Sequence, residues 1–151
     1  MKTEDYQKII ANAIEREVEA YAFYRTVSEK VKDPGLKAIF TELAGEETKH
    51  RNYLQGILAK GKTAMHFSES ADYRVTDSKA SPALTPDMKP LDGLVLAIKK
   101  ELDAMQMYQQ LANANIDSEQ KMVFQQLAAM EKGHKARLED IYTNMAFPEV
   151  W

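Results

Sequence analysis

Apolar residues recur in steps of three and four along four stretches of the chain, the spacing that places them on one face of an α-helix. The first stripe reads Ile10, Ile14, Tyr21, Tyr24, Ser28 and Val31. The second reads Leu36, Phe40, Leu43, Leu54 and Ile57. The third reads Leu94, Ile98, Met105, Tyr108 and Ala112, and the fourth Phe124, Leu127, Leu138, Ile141 and Met145. Punctuation residues set the ends. Asp33 can cap a helix that has Pro34 in its first turn, and Asp117-Ser118 offers a second cap. Gly61 closes the second stretch, and the third fades at Asn113-Ala114-Asn115. The pattern predicts helices over 4–31, 34–60, 91–114 and 118–145, with a short tail around Pro148.

Two of the three connections are short, so helices one and two are expected to be antiparallel neighbours, as are three and four. Residues 62–90 differ in kind: Ser, Thr, Asp and Pro82, Pro86 and Pro90 dominate, and no periodicity persists. A connection of that length suits a crossover along a bundle whose ~25-residue helices are about 38 Å long. The expected fold is all-α, a single domain over 1–151 built as a four-helix bundle.

Each stripe has a gap filled by ionisable residues where leucine would be expected. Glu17 stands between Ile14 and Tyr21, and Glu101 between Ile98 and Met105. Glu47 and His50 stand between Leu43 and Leu54, and Glu131 and His134 between Leu127 and Leu138. A shift of 84 positions superimposes the two halves: Glu17 falls on Glu101, Glu47 on Glu131 and His50 on His134. Ala13, Ile14, Ala20 and Tyr24 fall on Ala97, Ile98, Ala104 and Tyr108, and Phe40, Leu43, Ala44, Leu54 and Ile57 find the same partners in helix four. The chain is a duplicated helical hairpin. In each hairpin, Glu and Glu-x-x-His are equidistant from the turn, roughly 20 Å along the axis at 1.5 Å per residue.

Four carboxylates in a core would repel one another and resist desolvation unless compensated. No Lys or Arg is read in the same seam positions. Two divalent cations would cancel the charge of four glutamates beside two neutral imidazoles. Glu-x-x-His puts both groups on one helical face, one turn apart. This mixed oxygen and nitrogen set suits iron or manganese better than structural zinc, and the arrangement is that of dinuclear carboxylate bundles.

Composition narrows the function. The net charge of −3 lends no support to binding nucleic acid or an anionic membrane. Cysteine is absent, which excludes disulfides, thiolate ligands and cysteine nucleophiles. No apolar run approaches the ~20 residues needed to span a bilayer, and Met1 to Lys8 lacks an apolar signal core. The expected location is the cytoplasm. Of the remaining polar residues, Glu15, Glu19 and Glu46 lie off the stripes and read as solvated surface, as does His66 in the connection. Met105, Met107, Met122 and Met130 read as core filler. Val18, Phe23, Val95 and Leu96 lie off the main stripes and suggest further burial, with a homodimer as the natural guess. A tyrosine such as Tyr21, Tyr24 or Tyr108 needs only a hydrogen-bond partner to sit in a core.

At Ala13-Ile14-Glu15-Arg16-Glu17, Glu47-Thr48-Lys49-His50, Ala97-Ile98-Lys99-Lys100-Glu101 and Glu131-Lys132-Gly133-His134 the chain resembles the rubrerythrin branch of the ferritin-like di-iron proteins. The resemblance spans the four helices but not 62–90 or the tail. It implies a ferritin-like bundle holding two Fe ions, with Mn or a mixed pair as the variant. It also implies bridging by Glu47 and Glu131, completion of one ion's shell by Glu17 and His50 and of the other's by Glu101 and His134, and Tyr24 and Tyr108 nearby as hydrogen-bond donors or redox-active neighbours. The implied activity is reduction of hydrogen peroxide or O₂. Ferroxidase or iron handling, a dimanganese catalase-like activity and a metal-stabilised binding module without catalysis are the alternatives. Two departures stand out. Rubrerythrins proper carry a four-cysteine rubredoxin-like site, so electrons here would come from a separate donor protein. They also carry a further glutamate about one turn past the third-helix ligand, where this chain reads Leu102, Asp103, Ala104 and Met105.

Overall fold

The computed structural model describes residues 3–60, 71–77, 79–82, 88–115 and 117–146. Among these residues lie four helices and no strand: α1 (Thr3–Lys30), α2 (Pro34–Lys60), α3 (Pro90–Asn113) and α4 (Ser118–Ala146). Each boundary falls within one residue of the one the stripes predict. The capping chemistry explains why. The Leu36 amide donates to Asp33 Oδ1 at 2.8 Å, and Pro34 opens α2 with a fixed φ and no donor to waste. Across the turn, Lys37 Nζ donates to the carbonyls of Ser28 at 3.0 Å and Glu29 at 3.5 Å, the negative end of α1. In the second turn the amides of Glu119 and Gln120 both donate to Asp117 Oδ1 at 3.0 Å.

The chain divides into two compact units. In the first, α1 packs on α2. Ile10, Ala13, Tyr24, Val27, Val31, Leu36, Phe40, Leu43, Leu54 and Ile57 are all buried. Tyr24 lies against Phe40, ring centroids 5.8 Å apart, and edge-on to Phe23 at 5.5 Å. The buried face of α1 is centred slightly off the predicted stripe. Val27, which the stripe omits, is fully buried, Ile14 is half-buried, and Tyr21 is 39% exposed. Tyr21 sits at the rim, where an amphipathic ring can keep its hydroxyl in water.

In the second unit α3 packs on α4. Leu94, Val95, Ile98, Met105, Tyr108, Phe124, Leu127 and Leu138 are buried, as expected. The last turns of α4 are not: Ile141 is half-buried and Met145 exposed. Met130 and Met105 fill the core, Met107 is half-buried, but Met122 is more than half exposed, so methionine alone does not mark interior here. Phe23 and Leu96 are half-buried and Val18 is exposed. Glu15 and Glu19 are exposed as expected, whereas Glu46 is half-buried. Gly61, His66, Pro86 and Pro148 lie outside the described residues.

The second unit also contains residues 71–77 of the long connection. They are pinned to α4 in register. Asp72 Oδ1 meets Lys135 Nζ at 2.6 Å, and the amides of Tyr73 and Val75 donate to the two oxygens of Glu139 at 3.2 and 2.8 Å. Farther on, Lys79 Nζ sits 5.5 Å from the centre of the Tyr142 ring. The segment therefore runs beside α4 in the same direction as the helix. Irregular backbone usually satisfies its amides with water; here a helix carboxylate replaces the water.

Candidate metal centre

The hairpin geometry brings the seam residues of each half together. Glu17, Glu47, Glu101 and Glu131 are all nearly fully buried, and His50 is 8% exposed. In the first unit, His50 Nδ1 of α2 lies 3.6 Å from Glu17 Oε2 of α1 and 3.6 Å from Glu47 Oε2 one turn before it. In the second, His134 Nδ1 lies 3.5 Å from Glu101 Oε1, and one ligand atom each from Glu101, Glu131 and His134 fall within 4.8 Å of one another. The duplication seen in the sequence is thus a duplication of geometry, with one imidazole turned toward glutamate oxygens in each half.

The donor set fits a hard or borderline cation. Gaps of 3.5–3.6 Å are longer than a strong hydrogen bond between imidazole and carboxylate. They approach the roughly 3.0–3.4 Å edge of a polyhedron whose metal–ligand distances are about 2.1 Å. Buried carboxylates with imidazole, and no thiolate, match iron or manganese. Glu17 with Glu47 and His50, and Glu101 with Glu131 and His134, are the residues that would hold such ions. Tyr24 and Tyr108 are buried, seven residues or about two turns beyond Glu17 and Glu101.

A second charged cluster was missed by the stripe reading. Lys135 and Glu139 are completely buried on α4, with Lys135 Nζ 3.2 Å from Glu139 Oε2 and bound to Asp72 as well. Burial alone would lower the pKa of Lys135 and raise that of Asp72, but their mutual hydrogen bond and charges prevail: Lys135 is held above its ordinary range and Asp72 below it. The ammonium is therefore committed to Asp72 and Glu139. A signal was available in the sequence: steps of four from Leu127 run through Glu131 to Lys135 and Glu139.

No curated protein matches the sequence significantly. Among solved structures the chain is similar to "Hypothetical Protein Pfu-1136390-001 From Pyrococcus furiosus", at 26% identity and a TM-score of 0.62, over 99% of this chain and 97% of the other. The family model described as Rubrerythrin matches residues 8–142, which takes in all six seam residues. No helix among the described residues is long and apolar enough to cross a membrane. With nine-tenths of its length matched, the chain belongs to the rubrerythrin family, whose domain is a ferritin-like four-helix bundle.

Proposed function

We propose that the protein is a di-iron oxidoreductase that reduces hydrogen peroxide to water with electrons from a separate donor protein. The observation that carries this reading is the repeated burial of Glu against Glu-x-x-His, once in each hairpin, in a member of the rubrerythrin family. Peroxide reduction consumes two electrons and two protons and gives two waters: the O–O bond breaks, and the donor is oxidised. A bound pair of iron ions would supply both electrons and the Lewis acidity that stabilises the departing oxygen.

The chain's own residues do the rest. Glu17 with His50, and Glu101 with His134, would hold the ions, together with Glu47 and Glu131. Near-complete burial of the four glutamates strengthens every charge interaction at the site and restricts water there. Tyr24 and Tyr108, buried two turns from the first glutamate of each hairpin, are suited to holding a phenolic proton for the site. The same reading places the protein in the cytoplasm as a homodimer, for which exposed Val18 and Tyr21 on one face of α1 are the supporting surface. Ferroxidation for iron handling is the second reading, favoured by Ala104 and Met105 standing one turn past Glu101, where rubrerythrins carry a further glutamate.

Metal analysis of the purified protein, anaerobic reduction and titration with peroxide followed by absorbance test this directly. The expectation is about two irons per chain and reoxidation by about one peroxide per iron pair, faster than by O₂. Glu131→Ala should lose iron and reoxidation together. Stable reduced iron that peroxide leaves unchanged would overturn the reading, and uptake of many irons per chain would favour handling.

A further inference from the structure

The second unit contains a cleft of about 600 Å³ that plays no part in holding the proposed ions. It is lined by Arg74 of the connection, Lys99, Met105 and Gln106 of α3 and Lys132 of α4, among others. Its size lies in the range of small-molecule sites, roughly 300–1,000 Å³. A peroxide, little larger than the ~30 Å³ share of a water, would not need it.

The charges are arranged rather than scattered. Three cations converge from three different elements. Two carboxylates also line it: Asp77, and Asp72, which bonds Lys135 and lies within the field of Arg74. Arg74 is presented by a built support: its backbone is left-handed, φ 51°, a conformation that is unfavourable for a non-glycine residue. That conformation is held by Glu139, which clamps the amides on both sides of it, Tyr73 and Val75, and by Asp72 Oδ1, 3.3 Å from the Arg74 amide. Strained residues of this kind concentrate at ligand clamps. The fold itself does not require the cations. At the matching positions of the first hairpin, Lys99 corresponds to Glu15 and Lys132 to Thr48.

We propose that this cleft binds a small polyanion, a molecule carrying two or more carboxylate or phosphate groups. One acid group would meet Arg74 and another Lys99, and the Gln106 amide, which lines the same cleft, would hydrogen-bond the uncharged part. Arginine pairs with both oxygens of either group, so the shared chemistry is a planar or tetrahedral oxyanion.

Calorimetric titration of the full-length protein with citrate and with pyrophosphate, at ~0.15 M ionic strength, tests the proposal. Arg74→Gln and Lys99→Gln, with thermal unfolding as a folding check, serve as variants. Saturable binding of either probe, weakened about tenfold or more by at least one variant, is expected from loss of a charge-assisted hydrogen bond. The tighter probe identifies the acid group. No saturable binding, or binding that both variants leave within that tenfold limit, as adsorption at the metal centre would, overturns it. The outcome is independent of the redox reading, since neither variant touches a proposed metal-holding residue.

Discussion

The two hairpins repeat the same glutamate and histidine geometry, yet the ridge that carries it continues differently in α2 and α4. In α2, steps of four run from Leu43 through Glu47 to Arg51 and Gln55; Arg51 is half-buried and Gln55 exposed. In α4 the matching ridge runs from Leu127 through Glu131 to Lys135 and Glu139, and both of the last are buried beneath residues 72–75. The contrast separates what the duplication requires from what was added to one copy. Carboxylate and imidazole at mid-helix are common to both. Among the described residues, the buried lysine, its two carboxylates and the left-handed Arg74 belong to the second alone.

The largest effect should come from cutting the clamp. Glu139→Ala removes the acceptor of two backbone amides and one of the two partners of a buried ammonium. Removing one member of a buried ion pair typically destabilises by about 3–5 kcal/mol. Gln55→Ala, at the matching exposed position, should change stability by less than about 0.5 kcal/mol. Urea unfolding of both variants measures the difference. Equal effects would mean that the two ridges are energetically alike and that the clamp is ornamental.

A smaller effect sharpens the same point through pH. Asp72 titrates below its ordinary range because Lys135 favours its charged form, despite burial. A carboxylate depressed in the folded state stabilises above its unfolded pKa of ~3.9, and that stabilisation is lost as pH falls through the folded value. Lys135, held above its ordinary range, contributes below its unfolded pKa of ~10.4, and that part is lost as pH rises through the folded value. The stability difference between the native chain and Asp72→Asn should be about 1.5–3 kcal/mol at pH 7 and shrink toward zero below pH ~4. Unfolding curves taken at steps from pH 7 down through the acid range decide it; a difference that stays constant with falling pH would show that packing, not charge, ties residue 72 to α4.

These two sites also show what could be read before the structure. The helices, their ends and the six seam residues were legible because each rests on local chemistry: periodicity, a capping aspartate, a charged residue where leucine belongs. The burial of Glu139 was not, because Lys135 and Glu139 four apart on a helix look like an ordinary surface pair. What buries them is Asp72 and its neighbours, some sixty residues earlier in a segment without periodicity. Tyr21 failed for a milder reason. Its spacing puts it at the edge of the buried arc, where an aromatic ring can be counted either way until Val27 is seen to take the centre. The cleft beside Arg74 left no sequence signal, since its cations come from three separate elements.

The smallest effect concerns the two turns. Asp33 and Asp117 occupy matching positions, but Asp117 Oδ1 accepts from the amides of Glu119 and Gln120, whereas the bond to Asp33 Oδ1 comes from Leu36. Replacing either by alanine should lose about 1 kcal/mol, Asp117 the more. The residue that matches Glu119 in the first turn is Gly35, where an added Cβ would lie 3.2 Å from Asp33 Oδ1, a tight approach. Alanine is the better helix former by up to about 1 kcal/mol, so Gly35→Ala sets propensity against the cap. In the native chain the two should nearly cancel, to within about 0.5 kcal/mol; in the Asp33→Ala background, with the carboxylate gone, the full gain should appear. A double-mutant cycle by chemical denaturation measures that coupling. If Gly35→Ala stabilises both backgrounds equally, the Asp33 carboxylate has room to spare, and crowding does not explain why the first turn keeps glycine where the second accepts glutamate.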